Sequence, residues 1–141
     1  MAKRDPELEH LTGVALFGGC SREELALVRK LMTEQRFRAA TKIVTEGEPG
    51  GRFYLITAGS ATVSRRGTQV RDLCPGDYFG EMALLDEGPR AATVTANTDV
   101  TTLALAPFNF RPLLKNNARL TYNILVVVSN RLRSLEATLF P

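Results

Sequence analysis

The feature that most constrains the fold is a series of short apolar runs between residues 36 and 106. The runs are rich in β-branched and aromatic residues, which pack well on the pleated surface of a sheet. Glycine and proline interrupt them about every 8 to 12 residues, the spacing of turns between short strands. The pattern predicts a mainly β region, folded as a sandwich or a jelly-roll barrel. The clearest runs are Ile43-Val44, Phe53–Ile56, Ala61–Val63 and Ala92–Thr95.

Helices are predicted before this region, over residues 1–35. Ser21 and Glu24 have the spacing of a capping box, in which each side chain accepts a hydrogen bond from the other residue's backbone N–H. An apolar stripe at helical spacing follows and predicts one buried helix face. Its members are Leu25, Val28, Leu31 and Met32.

Helices are also predicted after the β region, over residues 107–139. Asn109 is expected to cap a short helix that holds Pro112 in its first turn, where the missing N–H costs little. Asn116-Asn117 should end this helix, and a long helix should follow from about 118 to 138. The main apolar stripe of the long helix comprises Leu120, Ile124, Val128, Leu132, Leu135 and Leu139.

The composition suits one domain over 1–141 and excludes several kinds of site. Two cysteines, Cys20 and Cys74, cannot form a disulfide scaffold or a four-cysteine zinc site. The single histidine, His10, lies outside the β region, so a cupin-like metal enzyme would lack its ligands. We therefore expect no metal site, no catalytic residues and no enzymatic activity.

Charge and hydropathy indicate neither a nucleic-acid surface nor a membrane segment. The net charge is +3, and the basic residues are interspersed with acidic ones, so we expect no nucleic-acid binding by this chain alone. The pair Arg65-Arg66, before Gly67, indicates a solvated hairpin turn. The apolar run Ile124–Val128 is far shorter than the ~20 residues of a membrane-spanning helix. No apolar stretch follows Met1–Glu7, so the sequence predicts no secretory signal and a cytoplasmic location.

The segment from Phe79 to Val94 carries the most informative chemistry. Gly80 permits a tight backbone approach or a positive φ at the start of a helical turn, whose N–H groups would attract an anion. Arg90 adds a rigid fork of donors that suits phosphate oxygens, and two small alanines after it leave room for a ligand. Glu81 would repel an anion unless it accepts a hydrogen bond from a hydroxyl group. Hydrogen-bond donors for a phosphate, beside an acceptor for a hydroxyl group, predict a nucleotide ligand.

Residues 79–94 resemble the phosphate-binding cassette of the cyclic nucleotide-binding domain family. Phe79–Leu85 fits that family's FGE-(large apolar)-A-L pattern, and Arg90–Val94 fits its R-x-A-T-V pattern. Upstream, Gly47–Val63 resembles the family's first glycine-rich strand pair, except that Gly51 stands where the family often has Asp. The likeness covers nearly the whole chain and extends to the sensor domains of catabolite activator proteins, cyclic-nucleotide-dependent kinases and cyclic-nucleotide-gated channels.

The resemblance implies a mainly β fold with flanking helices. It implies an eight-stranded antiparallel jelly-roll β-barrel over 36–106, preceded by N-terminal helices and followed by hinge and lid helices over 107–139. The expected function is a regulatory sensor that converts nucleotide binding into movement of its C-terminal helices. The alternative is a degenerate module that mediates protein interaction or dimerisation without binding a nucleotide.

The resemblance also assigns roles within the cassette. Arg90 is expected to pair with the cyclic phosphate, and Glu81 to accept a hydrogen bond from the ribose 2′-hydroxyl. Arg131 and Leu135 lie on one face of the last helix and are the candidates for the lid over the base. The remaining cradle is expected from backbone N–H groups near Gly80, Met82, Ala83, Ala91 and Ala92.

The resemblance also predicts the preferred ligand and points to partners. Ala91 stands where members that prefer cGMP often have Thr or Ser, which favours cAMP, with cGMP less favoured and no cofactor besides this ligand. The run Ile124–Val128 covers more than one helix face, so it is either sandwiched within the domain or covered by a second chain. A homodimer or an effector domain could bind through the helix at 118–139.

Overall fold

The computed structural model describes residues 6–86 and 88–140, which form two compact units. The helical unit comprises residues 6–30 and 112–140, and the β unit comprises residues 31–86 and 88–111. Glu87, inside the predicted cassette, lies outside the described residues, as does most of the segment considered for a secretory signal. That residues 1–141 form one domain stays a prediction.

The β unit contains eight antiparallel strands among its described residues. They are β1 (Thr33–Phe37), β2 (Lys42–Val44), β3 (Phe53–Ala58), β4 (Ala61–Arg65), β5 (Thr68–Leu73), β6 (Tyr78–Phe79), β7 (Thr93–Ala96) and β8 (Val100–Leu105). One sheet has the order β1-β8-β3-β6, and the other has the order β2-β7-β4-β5. β1 begins at Thr33, so the β region starts earlier than the boundary predicted after residue 35.

The eight antiparallel strands of the predicted jelly-roll barrel are confirmed, but its closure is not, because the described strands form two separate sheets rather than one continuous ladder. One of the two edge strands of each sheet is very short. β6 has two residues and β2 has three, so these edges offer few backbone groups for further pairing. The two sheets contribute to one buried apolar cluster. Ile56 and Val100 come from the first sheet, and Ala61, Leu73 and Val94 from the second. The fold is therefore the sandwich that the apolar runs also allowed.

In the part of the chain that the structure describes, four α-helices flank the strands. They are α1 (Pro6–Thr12), α2 (Arg22–Leu31), α3 (Pro107–Asn116) and α4 (Ala118–Leu139), with a 3-10 turn at Ala15–Phe17. The capping box is confirmed, since the Ser21 N–H donates to Glu24 Oε1 at 2.9 Å and the Glu24 N–H donates to Ser21 Oγ at 3.1 Å. Met32 is buried but lies beyond the end of α2, so it is not part of the helical stripe.

The predicted start of α3 is wrong, although its end and the long helix after it are confirmed. The N–H groups of Asn109 and Phe110 both donate to the Ala106 carbonyl at 3.1 Å, so the helix begins at Pro107. A proline fits the first helical position because it has no N–H to satisfy there. Pro112 therefore lies inside the helix and not in its first turn.

The apolar surface of α4 is only partly buried. Leu120 and Ile124 are buried, whereas Leu125 is 59% exposed and Val126 40% exposed. The run Ile124–Val128 is therefore not sandwiched on all sides, and its coverage by a second chain stays a prediction. The C-terminal part of the predicted stripe is exposed as well, at Leu132, Leu135 and Leu139. Among the described helices, none has the length and apolarity needed to cross a membrane.

Candidate functional site

The cassette joins β6 to β7 within the β unit. After β6, Gly80 adopts a positive φ, one of the two roles that glycine allowed there, with φ 80° and ψ 17°. The following turn, Glu81–Leu84, is a 3-10 helix, in which the Ala83 N–H donates to the Gly80 carbonyl at 3.1 Å. The Ala83 N–H, one of the predicted cradle groups, thus has a partner inside the turn.

A cavity of about 460 Å³ lies over the cassette. Its walls bring together the predicted cassette residues, namely Gly80, Glu81, Met82, Ala83, Arg90, Ala91 and Ala92. The predicted lid residues Arg131 and Leu135 instead line a groove within the helical unit, beside Ala15 and Val127. Their role as a lid stays a prediction.

One row of residues across the second sheet lines the cavity. Val44 pairs with Val94, Val94 with Val63, and Val63 with Arg71. All four side chains line the cavity, so three valines provide an apolar surface that ends at a cation on the edge strand β5. Such a surface suits the face of a flat ring, which packs on apolar groups without needing hydrogen bonds. Of these four residues, the sequence pattern includes only Val94 in the cassette, and it predicts no ligand contact for any of them.

One neighbouring loop fixes the backbone of Arg90. Its N–H donates to the Glu48 carbonyl at 2.9 Å, and its carbonyl accepts from the Gly47 N–H at 2.9 Å. The next residues pair as well, at an isolated antiparallel bridge between Pro49 and Pro89. The loop at residues 47–49 therefore positions the cassette arginine.

The Arg90 guanidinium occupies space that is free because Gly51 and Gly80 have no side chains. A Cβ on Gly51 would lie 2.3 Å from Nη2, and a Cβ on Gly80 would lie 2.2 Å from Nη1. Real Cβ atoms essentially never come this close to another heavy atom, so neither position accepts a side chain unless the guanidinium moves. Nη2 also donates to the Arg52 carbonyl. Gly51, a departure from the resembled family at the sequence level, thus forms part of the Arg90 site.

The Arg90 side chain is a partly desolvated cation. Burial lowers its pKa below the usual range, and Tyr54, whose ring stacks on Phe79 at 5.1 Å, has a smaller opposite effect. Arginine nevertheless stays charged in proteins. Its Nε is buried and has no hydrogen-bond partner among the described residues. A buried, unsatisfied cationic N–H is costly, and an anionic acceptor would remove that cost.

Arg65 contacts the cassette, a role that no local sequence pattern indicates. The predicted hairpin turn is confirmed, with φ 52° at Arg66, φ 77° at Gly67, and Arg65 paired with Thr68. Arg65 Nε, however, donates to the Ala91 carbonyl at 3.0 Å. Residues far apart in the chain make this contact, and the local turn signal carries no information about it.

Comparison with known proteins agrees with this architecture. Residues 34–117 match the family model described as "Cyclic nucleotide-binding domain". The chain is 38% identical over 106 residues to a cAMP-dependent protein kinase regulatory subunit of Aspergillus niger, an alignment that covers 74% of this chain and 26% of the relative.

Two solved structures extend the comparison. The N-terminal domain of a transcriptional regulator from Streptomyces coelicolor A3(2) is 32% identical, with a TM-score of 0.83 and coverage of 91% of this chain and 95% of that domain. The regulatory domain of Toxoplasma gondii PKA, crystallised with cAMP, is 31% identical, with a TM-score of 0.65 and coverage of 79% and 46%. The chain spans about a quarter of the length of the kinase regulatory subunit it matches. It belongs to the cyclic nucleotide-binding domain family.

Proposed function

We propose that the cavity over the cassette binds a cyclic nucleotide, with cAMP preferred over cGMP. The observation that carries this proposal is Arg90, a half-buried cation whose buried Nε lacks a partner among the described residues. Its guanidinium lies beside the two glycines, and Arg90 lines a cavity of about 460 Å³, a volume that suits a small-molecule ligand. The similarity to a regulatory domain crystallised with cAMP supports the same ligand class.

In this proposal, different residues of the site contact the three parts of the ligand. Arg90 pairs with the cyclic phosphate, together with backbone N–H groups of Ala91 and Ala92. Glu81, which lines the same cavity, accepts a hydrogen bond from the ribose 2′-hydroxyl. The valine row packs against the base. The Ala83 N–H would join the phosphate cradle only by releasing the Gly80 carbonyl that now accepts from it.

The preference for cAMP rests on Ala91, whose methyl group offers no hydroxyl for guanine. Isothermal titration calorimetry of the chain with cAMP and cGMP tests the proposal, and we expect micromolar or tighter cAMP binding and weaker cGMP binding. Equal affinities would contradict the role of Ala91. Absence of both heat and thermal stabilisation with either nucleotide would favour the alternative, a degenerate module that acts through protein contacts.

Glu81 should contribute to affinity only when the ligand carries a 2′-hydroxyl. Hydrogen bonds to charged groups contribute about 1.5–3 kcal/mol, so Glu81→Gln should weaken cAMP binding by about one to two orders of magnitude. The same variant should bind 2′-deoxy-cAMP about as well as the unmodified protein does. Asp86→Asn is the matched control, because Asp86 lines the same cavity and its substitution removes the same charge. A loss for both ligands alike would contradict the ribose contact.

The proposed output is a shift of the C-terminal helices. Nucleotide binding would favour one arrangement of residues 107–139, by no more than its difference in affinity for the two arrangements. Arg131 and Leu135 remain the proposed lid, and the exposed apolar residues of α4 the proposed contact for a second copy or an effector domain. In this proposal the module is a cytoplasmic regulator and carries out no reaction of its own.

A further inference from the structure

Arg65 and Ala91 lie between two cavities of the β unit. Both residues line the cavity over the cassette, and both line a second cavity of about 650 Å³ together with Glu46 and Arg66. The hydrogen bond from Arg65 Nε to the Ala91 carbonyl, 3.0 Å long, therefore forms part of the wall between them. The sequence places these two residues 26 positions apart, on different strands and loops.

The β4–β5 hairpin holds Arg65 in place for this contact. Its two turn residues have the positive φ angles of a type I′ turn, the tight connection that matches the twist of paired strands. The Arg66 N–H also donates to Glu46 Oε1 at 2.9 Å, and the Glu46 N–H donates to Thr93 Oγ1 at 2.9 Å. The hairpin tip is thus tied to Thr93, which begins β7 and belongs to the cassette.

The carbonyl groups on both sides of Ala91 have donors. The Gly47 N–H holds the Arg90 carbonyl at 2.9 Å, and the Arg65 side chain holds the Ala91 carbonyl at 3.0 Å. In a trans peptide the N–H points opposite to the carbonyl of the same plane. Two held carbonyls therefore fix the directions of the Ala91 and Ala92 N–H groups, the two donors assigned to the phosphate.

We infer that Arg65 is a positioning residue of the nucleotide site: its hydrogen bond to the Ala91 carbonyl sets the peptide plane that presents the Ala92 N–H. This inference rests on the proposed function, because the N–H matters for affinity only if a phosphate binds. Arg65 acts through the backbone and need not touch the ligand. The adjacent Arg66 has an exposed side chain and uses its backbone N–H for the contact with Glu46. It is therefore a natural control.

The test compares Arg65→Gln, Arg65→Lys and Arg66→Gln in the full chain, by calorimetry with cAMP and by amide NMR without ligand. We expect Arg65→Gln to weaken cAMP binding about 5- to 20-fold and to shift the free-state Ala92 amide resonance. Arg65→Lys, which can still donate to the carbonyl, should stay within about 3-fold of the unmodified protein. Arg66→Gln, with the same loss of charge, should change affinity less than 2-fold and leave that resonance in place.

The two readouts separate the possible failures. Equal affinity losses in Arg65→Gln and Arg66→Gln would overturn the inference in favour of a general charge effect. So would an affinity loss in Arg65→Gln with no movement of the Ala92 resonance. If the unmodified chain bound no cyclic nucleotide, the proposed function would fail, while the free-state resonance would still report whether Arg65 holds the peptide plane.

Discussion

Replacing Arg90 with glutamine should weaken cAMP binding by about two to three and a half orders of magnitude. The guanidinium is partly desolvated, and its buried Nε lacks a partner among the described residues, so a bound phosphate would complete a charge pair shielded from water. Removing one partner of such a pair costs about 3–5 kcal/mol. Each 1.4 kcal/mol corresponds to about a tenfold change in affinity. Isothermal titration calorimetry measures this loss directly.

The same substitution should not destabilise the protein without ligand. A buried donor without a partner contributes a cost to the folded state, and glutamine removes that cost along with the charge. The substitution also removes the hydrogen bond from Nη2 to the Arg52 carbonyl, but that contact is exposed, so its loss should cost less. We therefore expect the thermal midpoint of free Arg90→Gln to equal or exceed that of the unmodified chain. Arg71→Gln is the matched control, since it removes one arginine charge from the same cavity, and it should lose less than about tenfold in affinity. If Arg90→Gln bound as tightly as Arg71→Gln, Arg90 would not be the phosphate ligand.

The sequence correctly predicted features of the fold that depend on residues close together in the chain. The Ser21–Glu24 capping box, the Asn116-Asn117 break and the Gly80 turn each depend on residues close in sequence, and each is confirmed. Whether the two sheets close into a barrel depends on pairing between distant strands, and there the prediction was wrong. The cap of α3 was wrongly assigned to Asn109. The first hydrogen bonds of this helix are accepted by Ala106, a residue without a capping side chain.

The same distinction between local and long-range contacts applies to the candidate site. The sequence predicted the cassette residues, because Gly80, Glu81 and Arg90 lie close together in a recognisable pattern. It did not predict the valine row or the Arg65 contact, because both depend on strand register. It marked Gly51 as a departure from the family without indicating its contact. Only the fold shows that the loop beside β3 approaches the cassette arginine closely enough to exclude a Cβ.

Two glycines with nearly the same positive φ allow the steric role of Gly80 to be isolated. Gly80 has φ 80° and Gly47 has φ 84°, so alanine meets a similar backbone strain of about 1–2 kcal/mol at each position. The surroundings differ, because a Cβ on Gly47 would have no neighbour within 4 Å. A Cβ on Gly80 would lie 2.2 Å from Arg90 Nη1 and 2.6 Å from the Arg52 carbonyl oxygen. A guanidinium can move aside, but a strand-flanking carbonyl cannot move without the backbone.

Gly80→Ala should therefore lower the free energy of unfolding by about 1–3 kcal/mol more than Gly47→Ala does, the usual cost of overpacking. It should also weaken cAMP binding at least tenfold, since the displaced guanidinium no longer reaches the phosphate. Gly47→Ala keeps the N–H that donates to the Arg90 carbonyl, so its affinity should fall much less. Urea denaturation and calorimetry measure the two effects. If Gly80→Ala fails to fold, Gly51→Ala replaces it, because the close contacts of a Cβ there are only with the movable end of Arg90. Equal stability and equal affinity in the alanine variants would show that the guanidinium does not need the space these glycines leave.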